Sequence, residues 1–404
     1  MAQGSRSRAK SGPLRRSRFF ALVLFLGFGV QVPLVVALSR ALGHALPPLA
    51  VAVAITAGFM QTVFGARRSW GAPSRRRLYL VLWPFFVWWT FALLFTALSP
   101  LAWLIRSFSH LPVGAVREAT LALAGVGTIA ALSGRPRVHR QEIAIPGLPP
   151  AFDGYRIAQI SDLHCGPFAS GARVDRWVAQ VNALSPDLVA VTGDLIASGA
   201  AFVPIVTASL GNLRGRDGVF ACMGNHDYFT DGEAMVAALQ GAGLDVLRNR
   251  GVSVRRGDAA MYVAGVDDTW THRNDVPRAL SARPPQAPVV LLAHDPALFP
   301  EAAAHGVELT LSGHTHGGQL GVPFLAKRFN LARLMTEFTT GIYKRGPSVL
   351  YVNRGLGATG LPVRLAVPPE IALLTLRRAP EAAATEPARA RSGPPVPAGQ
   401  LRSA

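Results

Sequence analysis

Cysteine is scarce in this chain. Cys165 and Cys222 are the only two, so no disulfide framework can be built, and they read as small apolar fillers beside a site. Acidic side chains are missing almost entirely from the first 150 residues, where Glu118 and Glu142 face 17 lysines and arginines. That stretch carries a net charge of +15, whereas residues 151–404 carry only +3. The overall excess of +18 therefore belongs to the apolar N-terminal part. There it signals membrane topology rather than a groove for nucleic acid, and no nucleic-acid partner is expected. Charge is also lacking from the middle of every long apolar run, which removes the usual mark of an ion or proton pathway. No internal repeat is present.

What is there is abundant apolar sequence in a chain too long for one ordinary domain: 404 residues, half of them hydrophobic. Four apolar stretches precede residue 135, roughly Phe19–Leu38, Ala45–Ala66, Leu78–Leu98 and Val116–Leu132. Each approaches the ~20 residues a helix needs to cross a ~30 Å hydrocarbon core. Trp83, Trp88, Trp89 and Trp103 gather in and near the third, while Gly125, Gly127 and Glu118 weaken the fourth. A signal peptide would explain the first stretch and not the other three. Arg15-Arg16 faintly resembles a twin-arginine signal, but Arg18 breaks the pattern and the later spans argue against export. The expected organisation is a basic cytoplasmic tail over 1–18, a transmembrane helical region of about four spans over 19–134, and a linker over 135–150. Arginines in the tail and at positions 67, 68, 75, 76 and 77 place those segments in the cytoplasm. Four spans then return the chain to the cytoplasm, which makes it a multi-pass cell-membrane protein with a cytoplasmic catalytic part.

After Pro146 the pattern becomes short apolar runs that read as strands: Arg156–Ile160, Leu188–Thr192, Val219–Met223, Met261–Val266, Val289–Ala293, Leu309–Ser312, Val349–Asn353 and Ile371–Leu376. Near-continuous Val, Ile, Leu and Ala suits strands covered on both faces. Ala172–Leu184, Gly232–Gly241 and Pro296–His305 read as helices, so the alternation predicts an α/β domain over 151–378. Residues 379–404, rich in Ala, Pro and Arg, read as a disordered tail.

Polar residues appear abruptly at the C-terminal ends of these strands. Asp162-Leu163-His164 follows the first, Gly193-Asp194 the second, Gly224-Asn225-His226-Asp227 the third, His294 the fifth and Gly313-His314-Thr315-His316 the sixth. Strand ends of open α/β sheets are where ligand sites assemble. Taken singly, Asp162-Leu163-His164, Gly193-Asp194 and His294 read as turn, loop or surface residues, Gly224-Asn225-His226-Asp227 is evenly balanced, and Gly313-His314-Thr315-His316 is the strongest piece. The set, in this order and always after an apolar strand, reads as a site. Carboxylates, an amide oxygen and imidazoles without thiolate suit Mn, Fe, Zn or similar divalent ions.

These ordered motifs resemble the calcineurin-like metallophosphoesterases. The continuation Gly317-Gly318-Gln319, with Arg354-Gly355-Leu356-Gly357 and Pro368-Pro369-Glu370, is similar to a bacterial membrane-associated branch of that family. The resemblance implies a four-layer α/β/β/α sandwich. It also implies two divalent metal ions, one on Asp162, His164 and His316, the other on Asn225, His294 and His314, bridged by Asp194. His226 would be the catalytic histidine that binds no metal, oriented by Asp227, and Arg354 a candidate phosphate contact. The family's usual Gly-Asp-x-x-Asp ends here in Ala197, which removes a support but no ligand.

Two such ions ~3.5–4 Å apart would acidify a shared water enough to supply hydroxide near neutral pH. The expected function is thus a membrane-anchored phosphohydrolase acting on phosphodiester or pyrophosphate bonds, with a lipid-linked substrate in view because the site is tethered to a bilayer. A membrane sensor or scaffold that binds a phosphorylated ligand without turnover is the alternative. It would be favoured by loss of a ligand, and all seven are present. A transporter would expect charged or broken intramembrane helices.

Overall fold

In the computed structural model, residues 28–379 are described, except 44–46, 68–72, 133, 323–324, 327 and 335. Four helices come first: α1 Gln31–Leu42, α2 Pro48–Arg67, α3 Arg75–Phe108 and α4 Val113–Leu132. Among the described residues, α3 and α4 are long and apolar enough to cross a membrane. Residues 19–27 of the first expected stretch lie outside the described residues, as do the basic tail at 1–18 and nearly all of the tail at 379–404. The third stretch is longer than its apolar run suggests. It starts at Arg75, passes a π-helical turn at Leu78–Leu82 and continues through Pro100. Proline there removes one N–H, and the neighbouring Ser99 hydroxyl turns back onto the Phe95 carbonyl at 2.7 Å. Large apolar side chains on both helices point outward: Trp103 is 71% exposed and Ile129 70%.

The α/β part begins earlier than expected. Residues 135–150, read as a linker, contain β1 (Arg137–Ile145). Arg137, Arg140 and Glu142 are exposed along it, and only Ile143 and Ile145 are buried, so only its end carries an apolar signal. Then follow β2 Arg156–Ile160, α5 Gly171–Ala183, β3 Leu188–Thr192, α6 Val203–Leu210, β4 Val219–Cys222, α7 Gly232–Gly241 and β5 Asp245–Val246. The second half comprises β6 Arg250–Arg256, β7 Ala259–Gly265, α8 Val276–Leu280, β8 Val289–Leu292, α9 Phe299–Ala304, β9 Leu309–Ser312, β10 Gly341–Arg345, β11 Ser348–Val352 and β12 Glu370–Arg378.

These strands form two six-stranded mixed sheets, ordered β1-β12-β2-β3-β4-β5 and β10-β11-β9-β8-β7-β6. Strands β2, β3 and β4 run parallel in the first, and β7, β8, β9 and β11 in the second, so their C-terminal ends lie along common edges. One apolar cluster draws on both sheets, with Ile157, Leu188 and Phe220 from the first and Val263, Val290 and Leu309 from the second. A second cluster lies between the first sheet and α5–α7. There Val174, Trp177, Val178 and Val181 face inward at helical spacing. A third cluster joins α8 and α9 to the second sheet. Each fully buried Leu, Val or Ile contributes roughly 1.5–3 kcal/mol. That burial makes the sheet edges rigid enough to carry polar loops.

The helices touch the α/β part through those loops. The Phe168 ring, four residues after His164, meets Trp83 and Phe86 of α3 edge-on at 5.4 and 5.3 Å. Val363 packs into a cluster with Val30, Trp89 and Ala131.

Candidate metal centre

The five strand-end motifs converge. Donor atoms of Asp162, His164 and His316 lie within 4.8 Å of one another, as do those of Asp194, His294 and His314, and those of His164, Asp194 and His226. The closest approaches are His164 Nε2 to His316 Nε2 at 2.9 Å, His294 Nε2 to Asp194 Oδ2 at 3.2 Å and His316 Nε2 to Asp162 Oδ1 at 3.3 Å. Asp162, His164, Asp194, Asn225, His294 and His316 are all buried.

Backbone conformation produces this convergence. Asp162, His164, Asp194, His314 and His316 all have positive φ, between 43° and 69°. Such residues cost on the order of 1–3 kcal/mol each and persist where the surroundings over-determine them. Here they are locked by cross-loop bonds: the Asp162 N–H donates to Gly193 O at 2.9 Å, the His164 N–H to Asp194 O at 3.0 Å, and the Gly313 N–H to His294 O at 3.0 Å. Gly193 has φ 80°, and a Cβ there would lie 2.6 Å from the Gly224 nitrogen, so no other residue lets the two loops meet.

The donor set fits divalent cations. His294 gives its Nδ1–H to the Thr192 carbonyl at 2.7 Å, which aims the Nε2 lone pair at Asp194. Asn225 Oδ1 and His164 Nδ1 are buried without a hydrogen-bond partner among the described residues. Burial alone would lower the His294 pKa, but the Asp194 carboxylate reverses this and raises it to about 10. For Asp194, burial would raise the pKa, and the surrounding imidazoles, His294 first, bring it far below the usual carboxylate range. Burial raises Asp162, with Asp194 adding to it, and burial lowers His164 and His316. Protons thus stand where cations would balance the same charges.

Two of the expected site residues have partners that the sequence did not suggest. Asp227 does not touch the His226 imidazole. Its carboxylate instead accepts backbone N–H groups of Leu195 at 2.8 Å, Gly224 at 2.9 Å and Asp194 at 3.0 Å, tying two ligand loops together. The imidazole is oriented by the Ala197 carbonyl, which accepts from Nδ1 at 2.7 Å. The position where the family's usual aspartate is replaced therefore contributes through its backbone. Arg354 reaches the edge of the site but pairs with the buried Glu370 at 2.7 Å, and Glu370 also bonds the Tyr351 hydroxyl. Its first task is to neutralise that carboxylate. Arg354→Ala is expected to cost about 3–5 kcal/mol, as for other broken buried ion pairs. A melting temperature within a degree or two of the parent would contradict this.

Sequence reasoning missed Arg364. Fully buried, it donates to the Arg354 carbonyl at 2.8 Å and to His316 Nδ1 at 3.0 Å, and it also bonds Gly357 O. A lone arginine inside Leu361–Val367 was the available signal. Gln319, part of the Gly317-Gly318-Gln319 continuation, has a structural role of its own. Its Nε2 donates to Leu361 O at 2.7 Å and Thr359 O at 3.1 Å, joining the histidine loop to that segment. Two exposed rings flank the site, Phe229 with its centroid 4.4 Å from His226 and Trp270 at 5.4 Å from His314.

With this geometry in hand, the comparisons take on structural meaning. A family model described as calcineurin-like phosphoesterase matches residues 155–318, the interval that holds every clustered histidine and carboxylate. A Danio rerio protein named transmembrane protein with metallophosphoesterase domain is 33% identical over 287 residues, covering 68% of this chain and 64% of that protein. Its Bos taurus namesake is 34% identical over 262 residues, covering 61% and 58%. The chain thus spans less than two thirds of the length of these two relatives. The Bacillus subtilis metallophosphoesterase YkuE is 33% identical over 234 residues, which cover 57% of this chain and 82% of YkuE. The matched residues, the converging donors and the coverage of the bacterial relative agree: this chain belongs to the calcineurin-like phosphoesterase family.

Proposed function

We propose that the protein is a membrane-anchored, metal-dependent phosphohydrolase cleaving phosphodiester or pyrophosphate bonds. The observation that carries this reading is the convergence of the two donor sets, Asp162/His164/His316 and Asp194/His294/His314, on one sheet edge. Asn225 joins the second set, and Asp194, facing both His164 and His294, is the carboxylate two cations would share. Divalent ions bound there supply Lewis acidity and an acidified water near neutral pH. The chain's own contribution is positional. His226 holds its Nδ1–H on Ala197, which leaves Nε2 for the leaving oxygen, and the backbone locks hold Asp162 and Asp194 where they would bind the cations. The two sheets with helices outside each are read as a four-layer sandwich. The anchor is read as multi-pass, with about four spans, which places the site on the cytoplasmic side and favours a lipid-linked phosphate ester as substrate.

Purified full-length protein is expected to contain divalent metal, to hydrolyse bis-p-nitrophenyl phosphate, and to lose that activity on chelation. Protein that neither binds metal nor turns over mono- or diesters would leave only the scaffold reading.

Stability gives a second check. Asp162 ionises only near pH 6 when buried beside Asp194, and His294 keeps its proton to about pH 10. In the metal-free protein both raised pKa values mean that the fold binds more protons than the unfolded chain. The contribution of these two groups therefore falls as pH rises, through the window 3.8 to 6 for Asp162 and 6.5 to 10 for His294, while the lowered His164 and His316 act in the opposite sense only below pH 6.5. Cations displace those protons, so the rise in melting temperature on adding Mn2+ should be larger at about pH 8 than at about pH 6. An increment that is flat or shrinks with pH counts against these ligands.

A further inference from the structure

The segment 320–334, immediately after the histidine loop, holds large apolar side chains in the open. Leu334 is 64% exposed, Phe329 57%, Leu325 50%, Val322 48% and Leu331 39%. The segment is tied rather than loose. The Val322 N–H donates to Phe329 O at 3.0 Å, Asn330 Nδ2 to Ala326 O at 2.7 Å, and the Leu331 N–H to Leu320 O at 3.3 Å. An internally bonded loop that keeps five such residues outward exposes a patch that needs a partner.

Its neighbours identify that partner. Leu320 packs into the cluster formed by Val30, Trp89 and Ala131, so the segment leaves the α/β part beside the first half of α3 and the C-terminal end of α4. Arg328 and Arg333 are exposed within the segment, and Arg75 and Arg76 are exposed where α3 begins. Residues 319–334 contain no Asp or Glu. Apolar side chains interleaved with cations only, continuous with membrane-length helices, match the boundary between acyl chains and anionic headgroups.

We infer that residues 320–334 seat in the surface of an anionic bilayer, so that the side of the site formed by His314 and His316 opens at the membrane and receives a lipid-borne phosphoester. The seating stands on the segment alone, whereas the delivery of substrate rests on the phosphohydrolase reading above.

The test uses the full chain reconstituted in phosphatidylcholine vesicles with and without phosphatidylglycerol. Native Cys165 and Cys222 are buried, so Leu325→Cys or Phe329→Cys can carry an environment-sensitive fluorophore, with Asp258→Cys on the exposed β6–β7 turn as reference. Labels at 325 and 329 should shift to the blue and be quenched by lipid-borne nitroxide, more strongly with phosphatidylglycerol, while the label at 258 should not. Equal access of aqueous iodide at all three positions would overturn the seating. So would shielding from iodide without quenching by lipid, which would mean that protein covers the patch. In a second arm, Leu325→Glu/Phe329→Glu should leave hydrolysis of bis-p-nitrophenyl phosphate unchanged and slow hydrolysis of a nitrophenyl phospholipid in vesicles by about tenfold or more. An unchanged rate on the lipid would refute the delivery. A parent that hydrolyses neither ester while its labels are quenched by lipid would remove the phosphohydrolase reading and keep the seating.

Discussion

His226→Ala is expected to lower kcat for diester hydrolysis by about 10²–10⁴-fold while bound metal stays at the parent's level. The geometry offers two roles for this imidazole. Its ring lies 4.6 Å from that of His164, and one of its nitrogens falls within 4.8 Å of donors on His164 and Asp194, close enough to suggest a ligand. Against that, Nδ1 is committed to the Ala197 carbonyl, and the half-buried ring stays open to substrate. A proton-delivering histidine needs that access to substrate. The two roles separate in the assay: a ligand loses metal on substitution, whereas an acid loses rate only. An acid also matters more when the leaving group is poor. The loss should therefore be smaller with p-nitrophenolate than with an alkoxide leaving group. Equal losses on both, or metal content falling in step with rate, would move His226 among the ligands.

The reason Asp162, Asp194, Asn225, His294, His314 and His316 could be picked from sequence is physical. Strands β2, β3, β4, β8 and β9 are almost wholly buried, so their sequences are mostly apolar, with Gln159 and Thr310 among the few exceptions, and charged and metal-binding side chains gather only past their ends. What remained hidden was work done by groups that carry no residue signature. The partner of His226 is a backbone carbonyl, and Ala197 in the sequence says nothing about where that oxygen points. Asp227 sits beside His226 in sequence, yet the 3₁₀ turn Asn225–Tyr228 directs the two side chains apart, one onto backbone amides and the other toward the site. The strand β1 was hidden because Arg137, His139, Arg140, Gln141 and Glu142 break its apolar pattern, so it reads as a linker until β12 is seen pairing with all nine of its residues.

Asp194→Asn should abolish both metal binding and turnover, with activity falling to the uncatalysed level under conditions where His226→Ala retains its metal. The substitution keeps shape and burial. Oδ1 can still accept the His226 N–H, now 2.9 Å away, so the loop that presents His226 has no steric reason to move. What changes is the other atom. Oδ2 faces His294 Nε2 at 3.2 Å and His164 Nε2 at 3.6 Å, and an amide NH2 there removes the charge and the acceptor at the point both donor sets share. Loss of the fold would mimic this result, and stability against pH separates the two. The Asp194 carboxylate is the main influence that raises His294 above its usual pKa, to about 10, against the lowering effect of burial. In the metal-free parent that raised value adds stability below pH 6.5, and the contribution is lost as pH climbs toward 10. Without the carboxylate the His294 pKa falls, and the decline over that window should flatten while the protein still melts cooperatively. A variant that melts cooperatively with the parent's full slope would show that Asp194 does not govern His294. The shared-carboxylate assignment would then fail even if activity were lost.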